Sequence, residues 1–258
     1  MKLRFLGAHN VETASTGLSC LLVDDVVALD AGALTRHLSP SAMFNLQGVL
    51  LTHGHYDHIR DVPALGMNLY LNGKTLDLYG NSSTKENLAG CLMNGTIYSK
   101  FLEKPPENPT FCFNIIEPDM AFQLGKYEVL AVELPHSLPA LGYQMTDAGG
   151  KRIFYTGDTG PGLSRCFKSI APDLMIVEVT ASNRFTDFFS SAEGQHLTPE
   201  LLRRELKTFQ RLRGYLPKIA CVHMSPGNES EIEAEINDIA AELNSQIYLA
   251  REGMTVTI

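Results

Sequence analysis

Seven residues, Thr52-His53-Gly54-His55-Tyr56-Asp57-His58, constrain this chain more than any other stretch. Three imidazoles and a carboxylate fall between His53 and His58. The apolar run Gly48-Val49-Leu50-Leu51 leads into them, and an amphipathic run over residues 56–65 follows. That order predicts a buried strand, a tight turn and a helix start. Imidazole and carboxylate together suit zinc, manganese or iron. Histidines two apart on extended backbone point the same way, so His53 and His55 can grip one ion. Asp57 and His58 lie past the turn and can face a second. One ion takes about three or four protein ligands, so this stretch needs partners from elsewhere to complete a two-metal site. The bland alternative is a surface turn rich in histidine; the strand–turn–helix context favours ligation.

His-Xaa-His-Xaa-Asp-His after a hydrophobic strand resembles the signature of the metallo-β-lactamase superfamily. The resemblance implies an α/β fold, an αββα sandwich of two packed mixed β-sheets flanked by helices, with the metal site at one edge. A single domain over residues 1–258 is expected. Three later strand ends match the superfamily's further ligands in order. They are His136 after Val132-Glu133-Leu134-Pro135, Asp158 after Ile153-Phe154-Tyr155-Thr156-Gly157, and His223 after Ile219-Ala220-Cys221-Val222. Singly, each has a structural reading, as a hydrogen-bonded histidine or a Gly-Asp turn. Jointly, the resemblance implies that His53, His55 and His136 hold one ion, that Asp57, His58 and His223 hold the other, and that Asp158 bridges them. Two divalent cations sharing a water would supply hydroxide at neutral pH. Asp30, in Asp30-Ala31-Gly32, resembles the carboxylate that supports a metal-binding histidine; a helix cap or turn is the alternative.

Composition narrows the setting. The chain has 258 residues, 44% of them hydrophobic, enough for one substantial core. A net charge of −8 argues mildly against gripping long nucleic acid, which usually needs a basic face. The five cysteines are odd in number and form no Cys-Xaa-Xaa-Cys pair, so buried thiols and a reducing cytoplasm are expected. Residues 1–7 read as a short strand rather than a signal peptide, and no apolar run approaches a membrane span.

Strands are expected over 2–6, 19–23, 26–29, 68–71, 75–79, 127–134, 142–145, 152–156, 173–179, 218–222, 246–250 and 254–258. Helices are expected over 83–92, 162–170 and 198–213, the last capped by Thr198 with Pro199 in its first turn. Ile232, Ile236, Ile239 and Leu243 follow helical spacing. Residues 80–118 are irregular and proline-rich, and read as a surface loop or a lid.

The segment around His196 decides between branches of the superfamily. Glu178 lies in the apolar strand Met175-Ile176-Val177-Glu178-Val179 and needs a partner, since an unpaired buried charge is costly. His196, in Gly194-Gln195-His196-Leu197-Thr198-Pro199-Glu200, is the candidate. A carboxylate beside an imidazole fixes its tautomer and favours the protonated form, which can give a proton to a departing alkoxide. A helix cap or a loop hydrogen bond is the structural alternative. This segment resembles the phosphodiesterase branch, that of ribonuclease Z and the class II cyclic nucleotide phosphodiesterases, and its wording is closer to the latter. The resemblance implies hydrolysis of a phosphodiester, most of all in a 3′,5′-cyclic nucleotide, with Asp57, Glu178 and His196 as the catalytic residues. Two divalent ions, zinc first and manganese or iron next, are the implied cofactors. A small nucleotide diester is the expected partner, with long nucleic acid disfavoured because no basic, glycine-rich arm is found. Alternatives are a ribonuclease Z-like RNA-processing nuclease or another phosphodiesterase, and a metal-holding module without turnover. Phe185, Phe188 and Phe189, in the loop over 183–193, can plug the core, stack on a base or meet a second subunit, which leaves a homodimer or a lid over 183–195 open.

Overall fold

In the computed structural model, residues 1–191 and 195–258 are described. Their strands are β1 (Lys2–Gly7), β2 (Cys20–Val23), β3 (Val27–Leu29), β4 (Gly48–Leu50), β5 (Leu76–Gly80), β6 (Phe111–Ile115), β7 (Ala121–Leu124), β8 (Tyr127–Leu134), β9 (Ala140–Thr146), β10 (Arg152–Tyr155), β11 (Leu174–Glu178), β12 (Lys218–Val222), β13 (Ile247–Leu249) and β14 (Thr255–Thr257). They form two seven-stranded sheets, ordered β14-β1-β2-β3-β4-β5-β6 and β13-β12-β11-β10-β9-β8-β7. Both sheets carry the same pairing pattern. Antiparallel pairs run from β14 to β3 and from β7 to β10, and parallel pairs take over from β3 to β6 and from β10 to β13. The two halves therefore repeat one topology, a duplication that the residues alone do not display.

Alternation along the first sheet explains its continuous apolar runs. Leu21, Val23, Val27, Leu29 and Leu50 join a core with Val129, Tyr143, Met145 and Phe154 of the second sheet. Their neighbours Cys20, Leu22, Ala28, Val49 and Leu51 join a second core with Val62, Leu65, Leu69, Phe101 and Phe111. Side chains alternate across a strand, so this sheet is buried on both faces, by the other sheet and by helices. On the far side, helix Pro199–Arg213 lays Leu201, Leu202, Leu206 and Phe209 onto the second sheet. Thr198 caps it by accepting from the Leu201 amide, and Gly214 closes it in the left-handed region.

Several expected elements differ. Residues 68–71 finish the helix Val62–Leu71 rather than form a strand, because Leu65 and Leu69 continue its buried face. Residues 162–170 contain only a single 3-10 turn, Cys166–Lys168; Glu205 accepts from the Gly162 and Leu163 amides, and Leu163, Cys166, Phe167 and Ile170 are all buried. The helix over 83–92 is Ser82–Asn87 continued by a π-turn, Leu88–Leu92. The irregular region over 80–118 is largely exposed and is pinned at a few points: Phe101 and Phe111 are buried beside Gly66, and β6 joins the sheet edge. Cys91 and Cys112 are exposed, unlike the other three cysteines, and all five are free. Among the described residues, no helix is long and apolar enough to cross a membrane.

Candidate metal centre

β4 ends at Leu50, and residues 51–55 continue extended until a short helix, Tyr56–Ile59, begins. The extended part carries His53 and His55 to one side; the helical turn carries Asp57 and His58 beside them. Strand ends of the other sheet meet this turn. His136 follows β8, Asp158 follows β10 and His223 follows β12. Gly157 permits the approach: at φ 59°, a Cβ there would stand 2.6 Å from the Thr52 hydroxyl. His223 itself adopts φ 64°, costly for a side chain of this kind and held by backbone bonds on either side, Val179 to Val222 before it and Met224 to Ala8 after it.

Two clusters result. His53, His55, His136 and Asp158 converge in one, and Asp57, His58, Asp158 and His223 in the other, with donor atoms within 4.8 Å of one another in each. In the first, His55 Nδ1 lies 3.0 Å from His53 Nε2 and 3.1 Å from His136 Nε2. In the second, His223 Nε2 lies 3.1 Å from Asp57 Oδ2 and 3.3 Å from Asp158 Oδ1. All seven sequence-predicted donors are thus brought together, with Asp158 common to both clusters.

Four rings anchor the nitrogen that faces away. His53 Nδ1 meets the Thr52 hydroxyl at 3.0 Å, His58 Nδ1 meets Asp30 Oδ2 at 2.7 Å, His136 Nδ1 meets the Gln195 carbonyl at 3.3 Å, and His223 Nδ1 meets the Thr180 hydroxyl at 2.9 Å. Such bonds fix the tautomer that leaves Nε2 bare toward the cluster. Asp30 is fully buried and also accepts from the Thr52 amide and from Tyr155 Oη, so it ties the turn to the opposite sheet. The buried Nε2 of His58 and Oδ1 of Asp158 make no hydrogen bond, though 3.0 Å apart. A buried pair left this way, inside a set of five imidazoles and two carboxylates, fits a divalent cation. Burial pushes the Asp158 carboxyl up, but His223, His58 and His53 around it hold it well below the usual range.

Glu178, at the end of β11, is wholly buried and meets His196 Nδ1 at 2.6 Å. It also accepts from the amides of Thr159 and Leu197 and from the Thr180 hydroxyl. Four donors occupy this carboxylate, so its proximity to Asp158, His196 and His223 does not make a third metal cluster. The His196 ring stacks on His223 at 5.4 Å and stands edge-on to His136 at 5.3 Å. Burial pushes its pKa down, yet the charge and hydrogen bond of Glu178 outweigh that and raise it to about 9. Cations held in the clusters would oppose this rise by repelling a protonated ring.

The mouth is a cleft of about 590 Å³ whose lining includes Asn10, Glu12, Tyr56, Arg60 and His196. Phe189 packs on His196 at 5.6 Å, whereas Phe185 and Phe188 are exposed. Ala192, Glu193 and Gly194, part of the segment quoted for the lid and for the His196 motif, lie outside the described residues. Thr52, Thr180 and Tyr155, which hydrogen-bond His53, His223 and Asp30, are site positions that sequence reading missed. For Thr180 the available signal was its place two residues after a buried glutamate.

Two mixed sheets with imidazoles and carboxylates gathered at their shared edge define a metal-binding αββα sandwich. The chain belongs to the metallo-β-lactamase superfamily: the family described as "Beta-lactamase superfamily domain" matches residues 21–228. Ribonuclease Z of Methanocaldococcus jannaschii is 28% identical over 155 residues, covering 55% of this chain and 46% of that protein. Ribonuclease Z of Pyrococcus abyssi is 34% identical over 110 residues, covering 41% of this chain and 32% of that protein. The chain thus spans less than half the length of these relatives in the matched regions. In fold it is similar to unliganded yeast PDE1, with a TM-score of 0.85 at 16% identity over 100% of this chain and 99% of that one. Human tRNase Z, short form, gives a TM-score of 0.68 at 18% identity over 100% and 99%. Relatives named ribonuclease Z leave the expectation against long nucleic acid without support.

Proposed function

We propose that this protein is a dinuclear-metal phosphodiesterase acting on 3′,5′-cyclic nucleotides. The observation that carries the phosphodiesterase chemistry is the Glu178–His196 pair, 2.6 Å apart and set against both clusters; the choice of a cyclic nucleotide rests on the wording of the sequence around His196. His53, His55, His136 and Asp158 would hold one cation, and Asp57, His58, His223 and Asp158 the other, zinc by preference and manganese or iron as alternatives. When bound, the cations supply Lewis acidity toward phosphoryl oxygens and lower the pKa of a water.

The chain's own residues do the rest. Glu178 occupies His196 Nδ1, so the proton for the leaving oxygen sits on Nε2, the nitrogen free to meet substrate. Stacking on His223 and contact with Phe189 fix the ring plane. Asp30, Thr52 and Thr180 keep the ligand imidazoles in one tautomer. A metal-holding module without turnover would have no use for His196. A reducing cytoplasm, consistent with five free cysteines, is the proposed setting.

A ribonuclease Z-like action on RNA is the second reading, favoured by the relatives that match in sequence. Hydrolysis of 3′,5′-cyclic AMP, a short RNA with a 3′ extension and a generic aryl phosphodiester by zinc- and manganese-loaded protein separates the two. His196→Ala should lower turnover of the true substrate about 10²–10⁴-fold with two metals retained. Undiminished turnover in that variant removes His196 from the mechanism.

A further inference from the structure

A second cavity, about 340 Å³, opens beside the metal turn. It shares His55 and Tyr56 with the metal cleft but does not reach His196. Small-ligand pockets run from roughly 300 Å³ upward and are mostly apolar with a few placed polar groups. This slot has that character. Ile59, Leu92 and Leu138 give it apolar walls, and the Tyr56 ring, 61% exposed, stands on its rim. Its one amide is Asn87, whose side chain makes no hydrogen bond among the described residues. Gly54 makes room for that amide: a Cβ there would lie 2.4 Å from Asn87 Nδ2. The π-turn Leu88–Leu92, closed by the Met93 amide on the Leu88 carbonyl at 2.7 Å, brings Cys91 and Leu92 to the slot. Such widened turns are frequent at functional sites.

We propose that this slot is a nucleobase subsite, an inference that rests on the phosphodiesterase reading above. A planar heterocycle has apolar faces and a polar edge, which are what the walls and Asn87 offer. The base lies on the Tyr56 side while the phosphoryl group lies over the clusters. His196 then faces the leaving oxygen from the opposite side of His55. Tyr56, Asn87 and Leu138 are specificity-determining residues in this arrangement.

The test uses two esters with the same leaving group and the zinc-loaded protein. Thymidine 5′-(4-nitrophenyl phosphate) carries a base; methyl 4-nitrophenyl phosphate does not. The nucleoside ester should have a kcat/KM about 10- to 100-fold higher, in keeping with base stacking. Cys91→Trp fills the slot and should bring that ratio close to one with metal content unchanged. Asn87→Ala should reduce the ratio mainly through KM. Equal kcat/KM for both esters in the unaltered protein overturns the subsite and leaves the phosphodiesterase reading intact, as does a ratio that neither variant alters. Failure to cleave either ester with two metals bound sinks both.

Discussion

Asp30→Asn isolates what one carboxylate does for the metal centre. Asparagine tolerates the left-handed φ of 57° at this position, so the backbone survives. The carboxylate accepts from the Thr52 amide at 2.8 Å, the Thr52 hydroxyl at 2.9 Å, Tyr155 Oη at 2.9 Å and His58 Nδ1 at 2.7 Å. An amide retains one oxygen, which keeps the Thr52 amide. The two hydroxyls can rotate to accept from the new NH₂. His58 can adapt only by moving its proton to Nε2, the atom that faces Asp158. Affinity for the second metal should therefore fall about 10–100-fold, the usual effect of losing such a support. Loss of one or two hydrogen bonds to a buried charge should cost about 3 kcal/mol, or about 6–12 °C in the melting temperature of the metal-free protein. Tyr155→Phe is the control: it removes one donor and costs about 1 kcal/mol, with metal affinity preserved. Zinc competition against a chromogenic chelator reads both metal equivalents. If Asp30→Asn binds the second zinc as tightly as the unaltered protein while His58→Ala does not, the tautomer argument is wrong.

Asp158→Ala removes the one donor common to both clusters, so both metal equivalents should weaken together in the same titration; loss of only one would show that Asp158 does not bridge. Gly157→Ala meets Thr52 at 2.6 Å in a left-handed backbone and should destabilise by about 2–4 kcal/mol, whereas a melting temperature within a degree or two of the parent would contradict the packing. His9 is buried between Glu252, 2.7 Å from Nδ1, and Glu229, 3.4 Å from Nε2. Burial lowers the His9 pKa, but Glu252 and Glu229 more than reverse this and raise it above 6.5. Burial likewise opposes the Glu252 carboxylate, yet His9 and the amides of Gly17 and Ala8 hold it at about 2 against 4.5. The histidine contribution is full below 6.5 and is lost as pH rises through its raised value; the glutamate contribution is full above 4.5 and is lost as pH falls toward 2. Metal-free protein should therefore lose stability as pH rises above 6.5, and His9→Gln should make that limb shallower in thermal melts taken from about pH 5 to 9.

The donors were legible because metal chemistry leaves few residue types to choose from and because four fall in one short stretch. Their rear partners were legible only where a charge stood out: Asp30 closing a strand, and Glu178 inside an apolar one. Thr52 and Thr180 carry no such signal, since a hydroxyl holding a ring nitrogen reads like any threonine near a strand end. β7, in Ala121-Phe122-Gln123-Leu124, is a four-residue edge strand with little apolar periodicity, and it was missed. Residues 68–71 misled because Leu69 and Tyr70 suit a strand as well as a helix, and the helix won through its buried partners. The His9–Glu252 clamp joins residues 243 apart, beyond the reach of any local pattern. The slot around Asn87 depends on a π-turn whose residues look like ordinary helix.

Each cluster draws donors from both sheets, His53, His55, Asp57 and His58 from the first and His136, Asp158 and His223 from the second. The centre is therefore a property of the seam between halves and belongs to neither half alone. A chain emerging from the ribosome has four donors out early but no finished site until His223 and the strands that seat it have followed. Until then the exposed histidines can capture stray cations only loosely. The paired site thus appears late, when the second half closes on the first, and any loosening of that closure disturbs both clusters together.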